Sequence, residues 1–306
     1  MPKQNIFFIL HGKLRSVERL KEKIRVEFSE LFEVNFKTTS KQFGAIQPTL
    51  DAVNENADII IIAGGDGSVN EMVNGYFSSS GVNTINFGVL PLGTGNDFVK
   101  SLNLNGSLQE LKNLITEKSV KAVDIFKMNF IDKSGAKASR FFNNISDIGI
   151  GGVVAKNVAT NSKILGANFT YLKAIVYSFF KYKKQTISFI SNKFNWSGEV
   201  LSLCMANGKY FGSGMCVAPE AKLDDQNLQI IIIGDVSLFD YFKNLSKIKN
   251  GIKIEHKEVI YSSVKSCKIN ANRTKCPIDM DGEFIGYAPI EVNLHSAKMN
   301  FYYSQP

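Results

Sequence analysis

The segment Ala63-Gly64-Gly65-Asp66-Gly67-Ser68-Val69-Asn70-Glu71 sets a carboxylate inside a glycine-rich turn. Glycines let backbone N–H groups approach an anion closely, and a helix that follows such a turn adds the partial positive charge of its N-terminus, so the turn suits phosphate. Asp66 conflicts with that use unless a cation intervenes, because at an effective dielectric of about 20 a like-charge contact at about 4 Å costs about 4 kcal/mol. A magnesium ion bridging the carboxylate and phosphate oxygens resolves the conflict, since it takes few protein carboxylates and keeps substrate phosphates as ligands. The plainer alternative is that Asp66 only caps the following helix, a task Ser68 could perform equally well. The turn is not a Walker A loop, for it lacks the terminal Lys-Ser/Thr, and it lacks the third glycine of the dinucleotide fingerprint.

A second glycine loop, Leu90-Pro91-Leu92-Gly93-Thr94-Gly95-Asn96-Asp97-Phe98, also follows an apolar run. Thr94 and Asn96 could donate to phosphate or ribose, although taken alone this is an ordinary turn. Ligands of open α/β sheets bind beyond the carboxyl ends of the strands, so the two loops are expected to face one cleft.

The elements that must position these loops alternate. Ile6 to Leu10 reads as a strand, Val17, Leu20, Ile24 and Leu31 recur at helical spacing, and a second strand starts near Val34. Ala45 to Asn54 reads as a short helix, and Asp58 to Ile62 as a strand buried on both faces of a parallel sheet. A helix from about Ser68, a strand at Ile85 to Leu90 and a helix around Leu108 to Thr116 keep the rhythm of an α/β domain. Beyond about Lys121 the pattern turns to β-like stretches: Val123 to Ile131, Arg140 to Ile145, Thr186 to Ile190, Val200 to Ala206, Leu228 to Ile233, Cys267 to Ala271 and Ile290 to Leu294. These predict a mainly β, sandwich-like second domain. One helical face interrupts it, formed by Phe169, Leu172, Ile175, Val176, Phe179 and Phe180 with Lys173 and Lys181 elsewhere. Such a face packs on the β-domain or, in the sharper reading, walls an apolar pocket for acyl chains or touches a membrane surface.

At 306 residues the chain is long for one core and suits two domains, expected at 1–122, with a tail from about 295 to 306 free to return to it, and 123–294. With 44% apolar and 21% charged residues it has material for buried cores. The net charge of +8 favours polyanionic partners without choosing among nucleic acid, nucleotides and anionic membranes. Lysines recur at Lys181, Lys183, Lys184, Lys243, Lys247, Lys249, Lys253 and Lys257, which by default is a solvated basic face. Cys204, Cys216, Cys267 and Cys276 are too far apart for a redox or zinc pattern, and Met1 to Leu10 lacks the features of a signal peptide. No run has the roughly 18 apolar residues of a spanning helix. A cytoplasmic protein with free thiols is expected.

The pair GGDGSVNE and LPLGTGNDF resembles the diacylglycerol kinase catalytic domain family, which takes in bacterial lipid kinases and the sphingosine and ceramide kinases. Further matches follow in order: Val123-Asp124-Ile125, Phe142-Asn143-Asn144-Ile145 before Gly149 to Gly152, Asn207-Gly208 with Gly212 and Gly214, Ala218-Pro219, Lys222-Leu223-Asp224-Asp225, and Asp281-Gly282-Glu283. The resemblance implies an α/β domain holding ATP, a β-sandwich domain over the lipid, and a cleft between them. It implies in-line transfer of the γ-phosphoryl group of ATP to the hydroxyl of diacylglycerol or a similar lipid at the membrane surface, with the protein peripherally associated there. Asp66 and Asp124 would hold the magnesium-bound triphosphate. Gly64, Gly65, Gly67, Ser68, Asn70, Glu71, Gly93, Thr94 and Asn96 would bind the nucleotide, with Thr39 as a further contact. Glu283 would be the catalytic base, with Asp281 the second choice or a magnesium partner. A second, structural Mg2+ would sit near Asp225, completed by main-chain oxygens of Lys222 and Asn227.

Several positions depart from the family pattern. His11-Gly12-Lys13 replaces the Asn-Pro-x-(Ser/Ala)-Gly that often follows the first strand, Phe126 stands where glycine is common after the Asp-Ile pair, and Gln226 where glycine is frequent after Asp225. Phosphofructokinases and NAD kinases share the Gly-Gly-Asp-Gly turn, but the first would need a second α/β lobe and the second a later glycine-rich nicotinamide motif that the sequence does not show. A sphingosine-type or phosphatidylglycerol kinase, and a catalytically weak nucleotide-binding regulator on membranes, stay open as alternatives. No nucleic-acid motif accompanies the basic charge. A homodimer is left open as the assembly state.

Overall fold

The computed structural model describes residues 3–12, 14, 16–39, 44–79, 84–160, 176–271 and 275–305, without the side chains of 157–160. Lys13 and four members of the aromatic helical segment, Phe169, Leu172, Lys173 and Ile175, lie outside the described residues. The chain divides into two compact units, one of Met1–Val123 with Ala297–Pro306 and one of Asp124–Ser296.

The first unit is an α/β layer structure. Its strands are β1 (Gln4–Leu10), β2 (Phe32–Thr38), β3 (Ile59–Gly64), β4 (Asn86–Pro91), β5 (Val120–Val123) and β19 (Met299–Tyr302), ordered β2-β1-β3-β4-β19-β5. All neighbours are parallel except β19 and β5. Every residue of β3 is buried because both faces of the sheet are covered. Ile59, Ile61 and Ala63 share a core with Ile24 and Phe28 of α1 (Val17–Phe28) and with Leu111, Leu114 and Ile115 of α5 (Leu108–Glu117). Side chains alternate along a strand, so Ile60 and Ile62 take the other face, the side left for the packed pair α2 (Ile46–Asn54) and α3 (Asp66–Phe77). β19 enters this sheet from the far end of the sequence. Its Phe301 is fully buried between Phe87 of β4, at 5.8 Å between ring centroids, and Phe98 of α4 (Asp97–Ser101), at 5.0 Å.

The second unit is one ladder of eleven strands plus a two-stranded hairpin. The strands are β6 (Phe126–Asp132), β7 (Lys137–Phe142), β8 (Ile145–Gly149), β9 (Gln185–Ser191), β10 (Asn195–Val200), β11 (Ser202–Ala206), β14 (Leu228–Ile233), β15 (Val259–Val264), β16 (Ser266–Ala271), β17 (Pro277–Met280) and β18 (Glu283–Leu294), with β12 (Tyr210–Phe211) and β13 (Met215–Cys216) in the hairpin. Residues from strands far apart in the ladder, among them Phe126, Phe189, Met205, Ile230, Val264 and Ile278, share one core, so the sheet curls over on itself. This is the sandwich-like, mainly β architecture expected from the sequence. Among the described residues three helical elements flank it: α6 (Ile150–Thr160), α7 (176–181) and α8 (Leu238–Lys249).

Several boundaries differ from the sequence reading. Val123 to Ile131 is two strands in two units, because Asp124 leaves the sheet and donates its N–H to Leu223 O at 2.6 Å. Arg140 to Ile145 is broken at Asn143-Asn144 into β7 and β8, and Val200 to Ala206 is β11 preceded by the end of β10. Phe126, at a position where the family favours glycine, is a core residue of β6 whose ring lies 5.8 Å from that of Phe142.

Phe301→Ala is expected to lower the unfolding free energy by about 3–5 kcal/mol, the usual cost of emptying a buried ring site. Urea unfolding followed by circular dichroism measures it, and a loss below about 1 kcal/mol would show that β19 is not integral to the first sheet.

Candidate active site

Four parallel strands of the first unit end on the same edge. Their pairing fixes where the following residues emerge: His11 N–H bonds Ala63 O (3.2 Å), Thr39 N–H bonds Leu10 O (2.9 Å), and Leu92 N–H bonds Gly64 O (2.9 Å). The His11-Gly12 turn, Thr39, the Gly65–Ser68 turn and the Gly93–Asn96 loop therefore gather at the carboxyl edge, the place an open α/β sheet offers to ligands.

The two glycine loops touch backbone to backbone. A Cβ on Gly93 would stand 2.4 Å from the Cα of Gly65, and one on Gly64 would stand 2.5 Å from Ser68 Oγ. Only glycine allows that approach. Asp66, at the first position of α3, does not cap its own helix: its Oδ1 accepts the N–H of Phe98 (3.0 Å), at the start of α4 in the other loop. The N–H groups that open α3 receive no side-chain cap, for Gly65 is the capping residue. Gly65 thus adds no side-chain acceptor at the turn, while the Asp66 carboxylate ties the neighbouring loop down.

Sequence reasoning passed over one residue here. A Cβ on Gly95 would lie 3.1 Å from Asp66 Oδ2 and 3.4 Å from Asp97 Oδ2, so the two carboxylates flank the same glycine. Burial raises the Asp66 pKa above the usual carboxylate range; backbone N–H bonds from Phe98 and Asp97 oppose this, and the Asp97 charge adds to it. Lys100 offsets part of that charge through its bond to Asp97 Oδ1 (3.1 Å). The signal that could have found Asp97 was its place one residue after Asn96 in a loop already singled out.

The other predicted residues have divided roles. Thr39 is buried and its Oγ1 accepts the N–H of Gly12 (3.2 Å), joining it to the first loop. Thr94 is exposed on the second loop. Asn96, with φ of 50°, bonds Gly93 twice, accepting its N–H (3.1 Å) and donating to its carbonyl (3.0 Å), and so closes its own loop. Asn70 lies inside α3, where its Oδ1 accepts from Asn74 (3.1 Å), and Glu71 accepts the N–H of Ala45 (2.9 Å) at the start of α2. These last two brace the helix behind the turn.

In the second unit the remaining motifs converge on Asp124. Its Oδ2 accepts the N–H of Gln226 (2.5 Å), and Asn207 Nδ2 donates to the carbonyls of Asp124 (2.9 Å) and Asn143 (2.7 Å). Asp225 Oδ1 accepts the N–H of Asn227 (3.0 Å), and Asn227 Nδ2 returns a bond to Asp225 O (2.7 Å), with Lys222 exposed alongside. Gln226 has φ of 61°, the left-handed region, which is the physical reason glycine is frequent there in the family.

Asp281 and Glu283 flank the β17–β18 turn and behave differently. Asp281 is buried, and its Oδ1 accepts the N–H of Ile145 (2.9 Å), so it anchors the start of β8. Glu283 is half-buried and pairs with Arg140 (3.0 Å). Among the described residues no three His, Cys, Asp or Glu side chains gather to hold a metal. A cation at Asp66 and Asp97 would therefore draw its remaining ligands from water or substrate, which fits Mg2+.

The second unit also has a partly open apolar pocket of about 160 Å³ lined by Ile150, Val154, Phe179, Leu201, Tyr241 and Ile248, with Asp147, Ser202 and Cys204 as its polar end. Asp147 is fully enclosed; Ser202 Oγ donates to it (2.6 Å), and burial pushes its pKa up to about 7.

These features have counterparts elsewhere. Residues 6–128 match the diacylglycerol kinase catalytic domain, and residues 146–302 match the YegS C-terminal NAD kinase beta sandwich-like domain. A diacylglycerol kinase of Staphylococcus haemolyticus is 28% identical over 258 residues, covering 84% of this chain and 74% of the relative, and one of Staphylococcus aureus is 28% identical over 287 residues, covering 92% and 87%. The fold is shared with a putative diacylglycerol kinase from Bacillus anthracis (TM-score 0.77, 21% identity, 99% and 98% of the two chains) and with yeast NADH kinase (TM-score 0.56, 10% identity, 100% and 85%).

Asp147 sets a pH dependence of stability. With its pKa near 7 when folded and 3.8 when unfolded, the folded state binds the extra proton between those values, so the contribution of Asp147 to stability is greatest below about pH 4 and falls as pH rises to about 7. The difference in unfolding free energy between wild type and Asp147→Asn is expected to decline across that window by up to about 4 kcal/mol. Urea titrations at about pH 4.5 and about pH 7.5 read it, and parallel profiles would show that Asp147 ionises without penalty.

Proposed function

The chain belongs to the family that joins a diacylglycerol kinase catalytic domain to a YegS-type C-terminal domain, and on that premise we propose that it is an ATP- and Mg2+-dependent lipid kinase acting on diacylglycerol or a lipid with a similar primary hydroxyl. The observation that carries the reading is the match of residues 6–128 to the diacylglycerol kinase catalytic domain together with that of residues 146–302 to the YegS C-terminal domain. The curated relatives named diacylglycerol kinase point to the same acceptor. No helix among the described residues is long and apolar enough to cross a membrane, and the chain would meet its lipid at a bilayer surface.

The uncapped N–H groups of Gly65 to Ser68 and the exposed Thr94 would hold the phosphate oxygens of ATP, with Thr39 and the His11-Gly12 turn beside them. Asp66 and Asp97 would hold Mg2+, and a second ion would rest on Asp225 with the main-chain oxygens of Lys222 and Asn227. A bound Mg2+ would neutralise charge on the transferring phosphate and so relieve the repulsion between Asp66 and Asp97. In the transfer itself the lipid hydroxyl oxygen bonds to the γ-phosphorus as the bond to the β–γ bridging oxygen breaks, and ADP departs. The hydroxyl proton passes to Glu283, which Arg140 orients, while Asp281 holds the turn that presents it. The acyl tails are the part of the substrate that the apolar lining of the second unit suits.

Transfer of labelled γ-phosphate to diacylglycerol in mixed micelles tests the proposal. Asp66→Asn is expected to lose transfer by at least about 100-fold together with Mg2+-dependent nucleotide binding, and unchanged turnover would remove Asp66 from the metal site. Glu283→Gln should keep nucleotide binding and lower kcat by about 100- to 10,000-fold, the range of a lost general base. Wild-type turnover in that variant would move the base elsewhere, and no transfer to any lipid by the wild type would end the kinase reading.

A further inference from the structure

Among the described residues the exposed aromatic side chains are four, and all sit on α7 and α8: Tyr177 and Phe180 are 53% and 78% exposed, Phe239 and Phe242 are 74% and 42%. Single apolar residues scattered on a surface need no explanation, but exposed rings gathered on two adjoining helices do. The helices adjoin through Phe179 and Tyr241, whose rings lie 5.8 Å apart.

The periodicity of α8 separates two faces. Asp240, Tyr241, Asn244 and Ile248 line the cavity of the second unit. The opposite side, at helical spacing, presents Phe239, Phe242, Lys243, Ser246 and Lys249, and no residue of α8 is buried. Ile252, 55% exposed, extends the apolar part beyond the helix.

The charge on this side is positive. Lys243, Lys247 and Lys249 belong to α8, and Lys181 and Lys183 close α7 and follow it. Neighbouring acids are already engaged: Asp240 in the capping box with Ser237, Asp235 with Lys184, and Glu220 with Lys253. Rings that can sit at the boundary between headgroups and acyl chains, bordered by lysines, match one partner chemistry, an anionic bilayer.

We propose that the outer face of α8 with the tip of α7 is the surface by which this protein docks on an anionic lipid membrane. Phe239, Phe242 and Phe180 enter the headgroup boundary, and Lys243, Lys247 and Lys249 lie against anionic headgroups. The lipid kinase reading gives this docking its purpose, while the binding itself requires no turnover.

Co-sedimentation of the full chain with vesicles of phosphatidylcholine, with and without phosphatidylglycerol, tests it. Wild type is expected to partition at least about tenfold more to the anionic vesicles and to be released by high salt. The double change Phe239→Ser with Phe242→Ser, and separately the triple change Lys243→Gln, Lys247→Gln and Lys249→Gln, should each lower partitioning by about tenfold or more, with thermal melts like wild type. Val26→Ser, at an exposed apolar residue of the first unit, should change nothing. Variants that sediment like wild type, or a wild type indifferent to anionic vesicles, would overturn the proposal. So would a wild-type dimer in sedimentation velocity that the Phe239/Phe242 variant loses, which would give the face to a second copy of the chain. Transfer to a short-chain diacylglycerol dispersed without vesicles keeps the two readings apart: both variants should retain it, and its absence in wild type would remove the kinase reading while leaving the docking surface standing.

Discussion

The carboxylate of Asp66, held between two glycine loops, is the constraint on which the first unit's site depends. Parallel pairing of β3 and β4 delivers both loops to one edge, and the missing side chains of Gly65 and Gly93 let their backbones meet. Asp66 then fastens α4 by accepting the N–H of Phe98. The same placement sets it against Asp97 across Gly95, where burial and like charge both oppose its ionisation. The proposed kinase reading sets a cation there, which would offset that negative charge and leave the helix N-terminus to phosphate.

The second unit is organised around a polar knot rather than a charge conflict. Asp124, Asn143, Asn207 and the loop from Leu223 to Asn227 are joined through backbone and amide bonds, while the buried side-chain amide of Asn143 and Oδ1 of Asn207 find no hydrogen-bond partner among the described residues. Buried polar groups persist when they are bonded, and once bonded they fix a unique chain path. The knot ties the start of β6 to the residues after β11 and before β14. The curled ladder supplies the remaining order: pairing of β17 with β8 brings Asp281 to Ile145, so that an acidic turn far along the chain is anchored to a strand more than a hundred residues earlier.

Periodicity misled at identifiable places. α8 went unread in the sequence although Leu238, Tyr241, Phe242, Leu245 and Ile248 recur at helical spacing and Ser237 with Asp240 forms a capping box at its start. The long strand β18 was legible only from Ile290 onward, since Pro289 interrupts the pattern. Val123 to Ile131 reads as one strand, and the break at Asp124 between β5 and β6 was not legible. Each misreading is a site where a contact distant in sequence replaced the local preference.

What the sequence determined by itself is the local chemistry: glycine turns after apolar strands, the carboxylate inside one of them, the change from α/β to β grammar near residue 121, and the ordered motifs that carry the family resemblance. Those depend on residue types and on spacings of a few positions, which a chain carries with it. The tertiary structure decided which carboxylate neighbours Asp66, that Asn70 and Glu71 brace a helix, that Asp281 anchors β8 while Glu283 meets Arg140, and that β19 completes the first sheet. Each of those joins residues whose separation along the chain says nothing of their separation in space, and the pairing is set by strand register and core packing, which only the folded chain possesses.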